Sequence, residues 1–170
     1  MTKKYYKTEY NSPIGRLTIC SDENALLGLW IEEQKYFGCE GLENATYSND
    51  VNILKDSKIW LDKYFNGEKP NISTLKLAPE GSDFRKLIWK HLCEIPYGET
   101  ITYGELAKDV AKEMGVAKMS AQAVGGAVGH NPISIIIPCH RVIGKNGTLT
   151  GYAAGLATKQ KLLELEIFNF

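Results

Sequence analysis

Cys139 is followed at once by His140 and Arg141, and preceded by Ile135-Ile136-Ile137-Pro138. A thiol becomes a strong nucleophile once its proton is removed, and positive neighbours favour the thiolate. Such a centre suits displacement or acyl transfer at carbon. Adjacency alone does not make a catalytic pair, because successive side chains of an extended chain point to opposite faces. The backbone must therefore bend at Cys139–His140, or a water must carry the proton between them. A histidine acting as base also needs a third group to hold its tautomer, and two late acids, Glu164 and Glu166, are of the right type. The remaining thiols, Cys20, Cys39 and Cys93, form no C-x-x-C pair; Cys39 and Cys93 read as structural or inert, and Cys20 alone cannot make a metal site. They define neither a disulfide scaffold nor a zinc site. His91, beside Trp89, reads as a packed or surface residue, and His130 follows Gly129 at a helix end, where a cation suits the dipole.

The elements that must carry this centre fall into two unlike halves. Residues 5–32 alternate as a β-meander: Lys7–Tyr10, a turn at Asn11-Ser12-Pro13-Ile14-Gly15, a strand through Leu17 and Ile19, and a third strand over Ala25–Ile31. Val51, Leu54, Leu61 and Phe65 then fall at helical spacing, with Asn66-Gly67 as the stop. The stretch 69–81 holds two prolines and no period, and reads as a linker between domains 1–68 and 82–170. Beyond it Phe84, Leu87, Ile88, Leu92 and Ile95 make a helical face. Thr102 and Glu105 have capping-box spacing, and Leu106, Ala107, Val110, Ala111 and Met114 form the buried stripe of a helix ended by Gly115. Ser120 can cap a second helix to about Gly129, which completes a helix-turn-helix. Its interior glycines each cost about 0.5–1 kcal/mol relative to alanine, so another backbone or a nucleic-acid groove should press against them. Ile135-Ile136-Ile137 predicts a strand buried on both faces, broken by Pro138 so that Cys139 meets a cavity. Trp30, Trp60 and Trp89 read as core.

Composition bounds the reading. The chain has 170 residues, 20 Lys+Arg against 20 Asp+Glu, 44% hydrophobic and 24% charged residues, which excludes a disordered chain. Zero net charge argues weakly against a protein held to nucleic acid by bulk positive charge. No apolar run approaches the roughly 20 residues of a membrane span, and no apolar stretch follows the basic start. The expectation is a cytoplasmic protein with free thiols and no membrane partner.

Ile137-Pro138-Cys139-His140-Arg141-Val142 resembles the signature of the O6-alkylguanine-DNA alkyltransferases, the methylated-DNA–protein-cysteine methyltransferases. The resemblance extends through Tyr97-Gly98-Glu99-Thr100-Ile101-Thr102-Tyr103, Ala123-Val124-Gly125-Gly126-Ala127, Asn131-Pro132 and Gly151-Tyr152-Ala153-Ala154-Gly155-Leu156. It covers Phe84 to Glu166 and, more loosely, Ser12-Pro13-Ile14-Gly15. It implies an α+β fold: an N-terminal three-stranded antiparallel sheet with a helix, ribonuclease H-like, then a mostly helical domain with a winged helix-turn-helix and the active-site cysteine. Cys139 would accept an alkyl group once, His140 would take the thiol proton through a water, and Glu166 would orient the imidazole. Asn131 would brace the turn between recognition helix and active site. Tyr103 would rotate the target phosphate and donate its hydroxyl to the guanine. The carbonyls of Cys139 and Val142 would accept the guanine amino group, and Tyr152 and Ala153 would wall the pocket, with the Ala153 amide offered to O6. Thr102, Tyr103, Ser120, Ala121, Gln122, Ala123 and Gly125 would contact DNA. The implied partner is duplex DNA bearing O6-alkylguanine, or O4-methylthymine, bound in the minor groove by a monomer, with no cofactor.

Two departures stand out. Gln122 replaces an arginine that the family often inserts into the base stack, which predicts weaker, less salt-sensitive binding. Ala153 stands where some members carry serine. Some members hold a structural zinc, but Asp22 and Leu27 offer no matching ligands, so no metal is expected. The rival readings are a helix-turn-helix damage sensor, which would lack the acceptor thiol, and a cysteine hydrolase, which would turn over.

Overall fold

The structure is a computed structural model and describes residues 3–168. Strands β1 (Tyr6–Ser12), β2 (Gly15–Ser21) and β3 (Leu26–Ile31) form the antiparallel meander that the alternation implies. Gly15, at φ 117°, closes the β1–β2 turn in a conformation that a side chain would strain. A two-residue strand, β4 (Thr46–Tyr47), adds parallel to β1 and makes the sheet order β3-β2-β1-β4. Nothing in so short and exposed a segment marks it in the sequence. Helix α1 (Asn52–Phe65) packs across the sheet on Ile53, Leu54, Trp60, Leu61 and Tyr64.

The stretch 69–81 runs along the free edge of β3: Leu26 N–H donates to Lys76 O at 2.8 Å, and Ala78 N–H to Leu26 O at 2.8 Å. Ser82 then caps α2 (Asp83–Leu92) by accepting from Arg85 N–H at 3.2 Å. The short parallel pair β5 (Ile101–Thr102) and β6 (Val142–Ile143) frames α3 (Tyr103–Met114), which opens with the expected capping box and ends on Gly115 at φ 69°. Met114, expected in the buried stripe, is 45% exposed, in the last turn of α3, where the residues on either side are exposed as well. Helix α4 (Ala121–Gly129) follows, capped by Ser120, and α5 (Leu156–Phe168) closes the described chain. Trp30, Trp60 and Trp89 are all buried, and one apolar cluster runs from the sheet through α2 and α3 to α5.

Residues 135–137 depart from the expected strand. They are buried, but Ile135 holds φ 71° and the chain turns back on itself, with Ile136 N–H on Ser134 O at 2.8 Å and Ile137 N–H on Ile133 O at 3.0 Å. Local β-branched preference loses here to tertiary hydrogen bonding. Leu29 of β3 takes up the preceding residues, donating to Pro132 O at 2.8 Å and accepting from Ser134 N–H at 2.9 Å. The sheet edge thus anchors the segment that leads into Cys139.

Candidate active site

Asn131 builds the approach to the thiol. Its buried side chain donates to Ile137 O at 2.7 Å and accepts from Ile133 N–H at 2.9 Å, so one amide closes the 131–137 turn on both sides. Cys139 N–H donates to Ile137 O at 2.8 Å, and Cys139–Arg141 wind into a single 3₁₀ turn. This is the bend that adjacent Cys and His side chains require. Burial pushes the Cys139 thiol above its ordinary pKa, while Asn131, Lys159 and Tyr152 act in the opposite sense, toward thiolate.

His140 is fully buried, and its Nε2 meets a carboxylate oxygen of Glu166. Of the two candidate acids, Glu166 is the one brought to the imidazole; Glu164 instead accepts from Gln160 Nε2 at 2.9 Å. Glu166 also accepts from Tyr64 Oη at 2.6 Å, Gly98 N–H at 3.0 Å, and Arg141 Nε at 2.7 Å and Nη2 at 3.2 Å. Arg141 completes the knot by donating Nη1 to Ile95 O at 2.7 Å. Burial would raise the Glu166 carboxyl, but His140 and Arg141 outweigh it and hold the group far below the usual carboxylate range. Burial lowers His140, against the pull of Glu166, which favours the neutral imidazole. With Nε2–H committed to Glu166, Nδ1 carries the lone pair. That nitrogen is buried and has no partner among the described residues.

Tyr103, the first residue of α3, directs its hydroxyl to Thr150 O at 3.2 Å and Gly151 O at 3.5 Å. The Tyr152 hydroxyl is buried against the Cys139 thiol, and Ala153 presents its carbonyl to Lys35 N–H at 2.9 Å. Local motifs left Tyr64 and Lys159 unmarked. Lys159 is fully buried, donates to Val142 O at 2.5 Å, Thr150 O at 2.9 Å and Gly151 O at 3.4 Å, and lies 5.8 Å from the Tyr103 ring centroid. Burial brings its ammonium down to about 8, with Cys139 opposing. One signal could have found it: seven residues before Glu166, Lys159 shares its face of α5.

The other thiols lie apart from this centre. Burial pushes Cys93 up to about 11. Cys20 and Cys39 act on each other, which lowers Cys39 and raises Cys20. His91 meets Glu113 at 3.1 Å, and His130 caps α4 with Nδ1 at 2.7 Å from Gly126 O.

The expected DNA-contacting residues lie on or just before α3 and α4. Thr102 and Ser120 are the N-caps of α3 and α4, and Ala121, Gln122 and Ala123 are exposed on the first turn of α4. Internal packing does not explain the glycines of α4. A Cβ at Gly126 or Gly129 would meet nothing within 4 Å, and one at Gly125 only the Tyr103 ring, at 3.8 Å.

Fold and site together define a helix-turn-helix protein in which a buried cysteine lies beside a buried histidine–glutamate pair. Family models match nearly the whole chain: the 6-O-methylguanine DNA methyltransferase ribonuclease-like domain over residues 5–79, and the DNA binding domain of the same enzymes over residues 83–167. The chain belongs to the 6-O-methylguanine DNA methyltransferase family. It is 44% identical over 168 residues to the methylated-DNA–protein-cysteine methyltransferase of Haemophilus influenzae, covering 98% of this chain and 88% of that protein. A Mycobacterium tuberculosis protein of the same name is 42% identical over 162 residues, covering 95% and 92%. Among solved structures, Mycobacterium tuberculosis OGT in complex with DNA aligns at a TM-score of 0.80 and 41% identity, over 96% of this chain and 92% of that one.

Proposed function

We propose that this protein repairs DNA by direct reversal, taking an alkyl group from O6-alkylguanine onto Cys139. The observation that supports this best is the buried Cys139–His140–Glu166 arrangement, with an unpartnered Nδ1, one turn beyond an exposed glycine-rich helix. An alkyl group on O6 is shielded within the duplex, so the nucleotide must be flipped into the pocket. Helix α4 enters the minor groove with Gln122 filling the vacated stack. Tyr103 turns the phosphate, and the Tyr152–Ala153 wall receives the base.

His140 Nδ1 then takes the thiol proton through a water. The thiolate attacks the alkyl carbon, the carbon–O6 bond breaks, and the electron pair stays on the guanine, which draws a hydrogen bond from the Tyr103 hydroxyl. The product is a thioether. Water does not cleave it, so each molecule acts once, with no cofactor. Residues 1–68 and 82–170 act as two domains joined by 69–81, and the active species is a cytoplasmic monomer.

Incubation with a duplex carrying O6-methylguanine should raise the intact protein mass by one methyl, mapped to Cys139. Cys139→Ala should take up none; methyl uptake by that variant would reject the assignment.

A further inference from the structure

Besides Tyr64 at Glu166 and Leu29 before Cys139, the N-terminal half reaches the site through an exposed turn that follows β3. Lys35 N–H donates to Ala153 O at 2.9 Å. The next ring, Tyr36, stacks on His130 with centroids 3.9 Å apart and planes 28° from parallel. His130 is the C-cap residue of α4, so the same turn touches the pocket wall and the end of the recognition helix. Gln34 makes the turn rigid: its buried amide accepts from Ile31 N–H at 2.7 Å and Ser134 Oγ at 3.3 Å, and donates to Lys35 O at 3.1 Å.

Burial does not account for Tyr36. It is 60% exposed, yet it holds φ 56°, a left-handed conformation that is costly for a bulky residue, and Glu33 in the same turn holds φ 66°. A strained, exposed tyrosine is kept in place by what it touches. Here that is His130, while its neighbour's amide fixes the Ala153 carbonyl.

We infer that the Gln34–Tyr36 turn is a positioning element for alkyl transfer, holding the Ala153 wall in register with helix α4. The inference rests on the reading above, in which Ala153 lines the base pocket. Tyr36 touches no reacting atom. It acts through His130 and, by way of Lys35, through Ala153. Small misplacements at a reacting centre are expensive, so loss of the stack should slow the chemical step rather than weaken DNA binding.

The test is single-turnover methyl transfer at saturating O6-methylguanine duplex, for wild type, Tyr36→Ala and Tyr36→Phe. Duplex affinity, thermal midpoint and total methyl uptake are measured beside the rate. The expected result is a rate constant roughly tenfold lower in Tyr36→Ala, with affinity, midpoint and final uptake unchanged, and rescue in Tyr36→Phe, whose ring still stacks. An unchanged rate constant in Tyr36→Ala overturns the inference, and so does reduced uptake with the rate constant of the active fraction unchanged. Equal loss in Tyr36→Phe overturns it as well. A wild-type protein that takes up no methyl would overturn the parent reading, and this one with it.

Discussion

One carboxylate, that of Glu166, receives hydrogen bonds from a phenol, a backbone amide and a guanidinium, and also pairs with His140. Removing its charge leaves Arg141 buried without a counterion, which costs about 3–5 kcal/mol when a buried pair is broken. Glu166→Gln should lose stability on that scale in chemical denaturation. Its transfer rate should also fall by about 10²–10⁴-fold, the range that a positioned base contributes. The pH dependence has a definite sign. Both His140 and Glu166 have depressed pKa values in the native state. The unfolded chain therefore binds protons first, at His140 near about pH 6.5 and at Glu166 near about pH 4.3. Their contribution to stability is full above that upper value and is lost in two steps as the pH falls. Because the base form of His140 persists below its ordinary range, the transfer rate should show no inflection at about 6.5; a fall centred there would contradict a buried neutral imidazole. Cys39, lowered by Cys20 and half-buried, should take up iodoacetamide faster than the buried, raised Cys139 in DNA-free protein. Peptide mapping of a short reaction reads the difference.

At the scale of elements, α4 and the 131–137 turn carry opposite lessons. Gly126 of α4 faces open space, so Gly126→Ala should stabilise the free protein by about 0.5–1 kcal/mol. The same variant should bind duplex more weakly if a DNA backbone approaches that face. Denaturation and a binding titration on one sample separate the two effects, and a variant that gains both stability and affinity would count against groove contact there. Asn131→Ala should destabilise, since it leaves Ile133 N–H unpaired in the interior, at about 1–3 kcal/mol, and removes one of the two donors to Ile137 O. Much of this was legible in the sequence, because capping boxes, amphipathic stripes and meanders are local patterns. The turn at Ile135 was not. Three β-branched residues favour a strand, and only Asn131 and the edge of β3, both outside the run, reverse that preference. Glu166 could not be chosen over Glu164 until the packed face of α5 was known. Tyr64, 102 positions from Glu166, has no local signature at all.

At the scale of the molecule, charge is balanced but unevenly shared: residues 1–81 carry 10 basic and 12 acidic side chains, residues 82–170 carry 10 and 8. A half with net charge +2 cannot rely on a basic field for DNA. On the proposed reading it relies instead on backbone contacts, helix ends and a shaped pocket. Gln122→Arg should therefore tighten duplex binding and steepen its salt dependence, by up to about 0.9 in log K against log salt for each added phosphate contact. The two halves are also mechanically joined, since β3 anchors the segment before Cys139 and the turn after β3 reaches Ala153 and His130. The central claim is that Cys139 is consumed as it repairs. Titrating a fixed amount of protein with increasing O6-methylguanine duplex and counting demethylated guanines tests it most directly. The count should rise to one per protein chain and stop there. Continued demethylation beyond one per chain, or tight binding with none, would contradict the account.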